Sequence, residues 1–90
     1  MSAIIRIRID ITGGKIDMAF TLACSNAIQR SKALGSVCRV YQSFNAFIVS
    51  SDKERGDDGT FGWLFMAYPG GRKVLSLAGV KLCRELNINV

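Results

Sequence analysis

The residues best suited to chemistry in this chain are Arg6, Arg8, Arg39, Tyr41, Arg72 and Lys73. Guanidinium and ammonium groups take up phosphate oxygens, and an exposed phenol ring gives a base a face to stack on. Arg6 and Arg8 alternate with Ile5, Ile7 and Ile9, and Arg39 and Tyr41 alternate with Cys38 and Val40. If both segments enter one sheet, Arg6, Arg8, Arg39 and Tyr41 share its open face. Pro69-Gly70-Gly71 reads as a turn that presents Arg72 and Lys73 at its tip. The same residues would also suit an ordinary solvated sheet face. No RNP motif, helix-turn-helix or KH loop accompanies them.

Other chemistry is poorly supplied. The chain has no histidine, which removes the commonest general base and any Ser-His or Cys-His pair. Cys24, Cys38 and Cys83 are odd in number and lack CxxC spacing, so neither a disulfide framework nor structural zinc is expected. Cys24 beside Ser25 has two readings, a helix-N-terminal thiol of lowered pKa or a small buried one. Gly13-Gly14-Lys15 lacks the spacing of a phosphate loop and the Ser/Thr that follows its lysine. The acids of 52–58 do not match an EF-hand. The expectation is a binding protein, with no enzymatic activity, cofactor, metal or small-molecule substrate.

Twelve bases against seven acids give a net charge of +5. Segment 52–58 holds four of the acids and two of the bases, so the rest of the chain carries ten bases, three acids and +7. A basic body favours a polyanionic partner. The expected partner is therefore nucleic acid. The alternative is a protein-interaction module, such as a small regulator or inhibitor or a homodimeric accessory protein. No apolar run reaches the length of a membrane span, and Arg6 and Arg8 interrupt any leader-like start. With free thiols, this points to the cytoplasm.

The elements that must position these side chains begin with two alternating runs. Isoleucines at 5, 7, 9 and 11, and Ile16, Met18, Phe20 and Leu22, flank Gly13-Gly14. Period two around a Gly-Gly pair predicts an N-terminal hairpin, 4–12/15–22, with Asp10 facing Asp17. Ser25 then caps a helix over about 26–34, ended by Gly35. Residues 37–51 are β-rich, as one bent strand or two, with Cys38, Val40 and Phe44 on one face. Residues 51–60 read as a solvated loop. Residues 61–68 read as a central strand with Trp63 and Phe65 on one face, and 72–75 as a short return strand. Ser76 starts a second helix, about 77–87, in which Gly79 allows close approach to the sheet. The fold class is α+β: a single domain over 1–90, with a mostly antiparallel sheet of about four to six strands and two helices packed on it.

Overall fold

Period two holds in the first run. In the computed structural model, which describes residues 6–51 and 62–90, strand β1 spans Ile7–Asp10. Ile7 and Ile9 pack against the core while Arg8 and Asp10 are exposed. The expected return strand is not formed. Gly13 and Gly14, at φ 60° and 70°, turn the chain instead into helix α1, Ile16–Leu34. The hairpin 4–12/15–22 is thereby corrected, and the helix expected over 26–34 is the second half of α1. Ser25, expected as its cap, lies exposed inside the helix, and Lys15 holds the N-cap position. Asp10 is paired with Ala46 rather than facing Asp17.

Two causes favour helix here. Ala19, Ala23 and Ala27 recur every four residues and are buried together with Phe20, Cys24 and Ser31. Alanine is the strongest helix former, and a stripe this thin lets α1 sit close to the sheet. Met18 and Leu22, half of the period-two signal, are 62% and 53% exposed. Topology supplies the second cause. The next strand in sequence, β2 (Cys38–Ser43), and β1 both run antiparallel to β3 (Ala46–Ser51), which lies between them. They are therefore parallel to each other, and parallel strands need a long crossover, which α1 provides. Gly35 ends α1 as expected, at φ 67°, with its N–H donating to the Ser31 carbonyl at 2.9 Å.

Residues 37–51 resolve into two strands, β2 and β3, joined at Phe44 and Asn45. Phe44 leaves the face of Cys38 and Val40 and occupies the turn. The expected loop over 51–60 and Phe61 lie outside the described residues, save Ser51, which ends β3. Strands β4 (Trp63–Ala67) and β5 (Lys73–Leu75) complete an antiparallel sheet of order β1-β3-β2-β4-β5. One irregularity re-aims β4. Val40 faces Phe65, but Tyr41 faces Trp63, so Leu64 is an extra residue, a bulge. Leu64 joins the core at 7% exposure. Trp63 thus joins the face of Tyr41 and not, as alternation predicts, that of Phe65.

Helix α2, Leu77–Leu86, starts at Ser76, whose Oγ accepts from the Gly79 N–H at 3.0 Å. Asn87 closes it at φ 58°. Gly79 is buried against β4, where a Cβ would collide with the Leu64 carbonyl oxygen. Ile88 and Val90 pack against the core. Cys24 of α1 and Cys83 of α2 belong to the same buried cluster as Val40, Val49 and Phe65, so both helices cover one face of the sheet. Phe20, Phe47 and Phe65 are fully buried there, with the Phe20 and Phe47 rings 5.2 Å apart. Each contributes about 2–3 kcal/mol of burial. The fold is α+β: among the described residues, two helices lie on a five-stranded antiparallel sheet.

Candidate nucleic-acid interface

Residues paired across an antiparallel ladder share a face. Register therefore lays out the side of the sheet opposite the two helices. One row crosses it as Arg8, Ile48, Tyr41 and Trp63, on β1, β3, β2 and β4. The next row is Ser50, Arg39, Met66 and Val74, on β3, β2, β4 and β5. The β4–β5 ladder extends by one bond, from the Tyr68 N–H to the Arg72 carbonyl at 2.9 Å. Alternation from Met66 and Val74 brings Tyr68 and Arg72 to the same side, and the Arg72 guanidinium lies 5.3 Å from the Tyr68 ring centroid. Ile48, Trp63, Met66 and Val74 are all partly exposed, and none belongs to the core beneath the helices. With strands about 5 Å apart, Tyr41 and Trp63 are neighbours and Arg8 lies roughly 10 Å away across β3.

The six expected site residues divide. Arg8, Arg39 and Tyr41 come together on this face, as the alternation requires. Arg6 is exposed just ahead of β1. Arg72 joins the face at its β5 end. Lys73 does not: it pairs with Ala67, on the helix side, where its charge pulls the Cys24 pKa down against burial. Trp63 is the residue that sequence reasoning left out: its aromatic character was visible, but the bulge that aims it was not.

Arg8, Arg39 and Arg72 carry the positive charge of this face, and the Asp10 carboxylate lies beside Arg8. Arg8 Nε donates to Asp10 Oδ1 at 2.8 Å, and the two side chains are 57% and 62% exposed. A pair this exposed is worth less than about 1 kcal/mol. The described residues carry ten bases and three acids.

Elsewhere the chemistry is sparse. Cys24 lies within α1 and not at its start, and burial pushes its pKa up to about 12. Of the two readings of Cys24, the structure has the small buried thiol. Burial also raises the Cys83 pKa. Among the described residues, no group of three or more Cys, Asp or Glu could hold a metal ion. None of their helices is long and apolar enough to cross a membrane. A groove of about 640 Å³ runs beside the start of α1, between Ile9 and Thr12 on one side and Lys15, Met18 and Leu22 on the other. Compared with known proteins, the chain matches no protein-family model, no curated protein and no solved structure.

Proposed function

We propose that this protein is a non-enzymatic binder that holds single-stranded nucleic acid on the open face of its sheet. One observation carries the reading: Arg8, Arg39 and Arg72 share that face with Tyr41, Trp63 and Tyr68. A single strand offers unstacked bases to aromatic rings and phosphates to arginines at once. A duplex hides its base faces, and a broad, slightly twisted sheet enters neither groove deeply.

The test is fluorescence anisotropy of labelled single-stranded and duplex oligonucleotides over a series of salt concentrations. Tighter binding of the single strand, with log K falling linearly against log salt, is expected. Absence of binding at low salt would sink the proposal.

A second reading rests on the apolar members of the same face, Ile48, Trp63, Met66 and Val74. A partner protein or a second copy of the chain would bury them. Trp63 emission distinguishes the two: a shift on dilution without nucleic acid favours self-association, and a shift only on titration with oligonucleotide favours the first reading.

A further inference from the structure

We infer that Phe44 is an additional base-stacking residue, presented at the end of the sheet by the turn between β2 and β3. The inference rests on the single-strand reading of that face. Phe44 has φ 42° and is 95% exposed. Asn45 has no positive φ, so only the first central residue of this two-residue turn is left-handed. That is the type II′ pattern, in which glycine is preferred because an L side chain crowds the backbone there. Phenylalanine thus bears a steric penalty and gains almost nothing from burial. The penalty is local and burial of the ring does not offset it, which is the pattern of a residue kept for what it contacts.

The surroundings favour a base over an apolar protein surface. Phe44 is flanked by Ser43 and Asn45, and the adjoining end of β1 carries Asp10 opposite Ala46. A polar collar makes a poor centre for an apolar interface, whereas stacking needs only the ring face. Phe44 follows Tyr41 by three residues, about 10 Å along β2 and at right angles to the cross-strand row of Tyr41 and Trp63, so a single strand of nucleic acid running along β2 from Tyr41 reaches the turn.

The test compares wild type, Phe44→Gly and Phe44→Trp in the oligonucleotide titration, with urea unfolding of each. Phe44→Gly suits the turn, so its unfolding midpoint is expected to be equal to or above that of wild type. Its affinity for single strands is expected to fall about tenfold, with the salt slope unchanged because no charge is lost. Phe44→Trp is expected to keep the affinity. If wild type binds and Phe44→Gly binds equally well, the inference fails while the reading of the face stands. Unchanged oligonucleotide binding with loss of self-association in sedimentation would also overturn it and assign Phe44 to a protein contact. If wild type binds no oligonucleotide, the reading of the face falls and takes this inference with it.

Discussion

Gly79 shows how a single hydrogen atom in place of a methyl decides a packing distance. In an exposed helix, glycine to alanine stabilises by roughly 1 kcal/mol. At Gly79 the added Cβ would strike the Leu64 carbonyl oxygen and approach Leu75 Cδ2 at 3.0 Å. One of these is backbone and cannot swing away, so the clash wins. Gly79→Ala is expected to lower stability by about 1–3 kcal/mol in urea unfolding, the usual range for overpacking. Ala78→Gly, at an exposed neighbouring position, is expected to cost only about 1 kcal/mol, by helix propensity alone. Cys24 makes a different residue-scale prediction. Its pKa rises from about 9 to about 12, first through burial and next through the neighbouring Cys83. The folded state therefore holds its proton where the unfolded chain releases it. Stability from this group is complete below pH 9 and declines as pH rises from about 9 toward 12. Urea midpoints at pH 8 and pH 10.5 should fall more for wild type than for Cys24→Ala. An equal fall in both would mean that Cys24 is not the titrating group.

Helix α1 is the element in which two readings of one stretch compete. If residues 16–22 were a strand, Ile16, Met18, Phe20 and Leu22 would be buried together. In the helix Phe20 is fully buried while Met18 and Leu22 are more than half exposed. Phe20→Ala is therefore expected to cost about 3–5 kcal/mol, and Met18→Ala and Leu22→Ala each less than about 0.5 kcal/mol, by chemical denaturation. Comparable losses at all three positions would contradict the helix. The stretch was misleading because its largest apolar residues carry the strand period, while the helix period is carried by Ala19, Ala23 and Ala27. Those alanines add little apolar area, but they set how near the helix can lie to the sheet. Elements whose ends carry their own chemistry were legible. Ser76 starts α2 through its side-chain oxygen, and Asn87 and Gly35 end α2 and α1 through local backbone hydrogen bonds. On the open face of the sheet, Arg8, Arg39 and Tyr41 were legible because alternation alone places them. Trp63 and Lys73 were not, because each depends on a one-residue choice of register, and a slip of one reverses the face.

At the scale of the whole molecule, the division of the sheet into a helix-covered side and an open side turns a diffuse charge into a directional one. The chain carries a net charge of +5, and a protein of that charge attracts any polyanion weakly over its whole surface. What distinguishes a site from a field is whether individual charges count unequally. Three arginines on the open face give an expected slope of log K against log salt of about −2 for single strands, at roughly 0.7 per phosphate contact. Arg39→Ala is expected to reduce that slope by about 0.7 and Lys73→Ala to leave it unchanged, although the two substitutions alter the net charge equally. The contrast follows from register alone: Arg39 pairs with Met66 on the open side, and Lys73 pairs with Ala67 on the helix side. Arg39 neighbours Tyr41 on β2, so a phosphate held there keeps its base within reach of the aromatic row, whereas one drawn to Lys73 would lie across the sheet from it. If anisotropy titrations give Arg39→Ala and Lys73→Ala the same slope, the attraction is the undirected field of a basic surface. Unequal slopes would place the nucleic acid on the open face of the sheet.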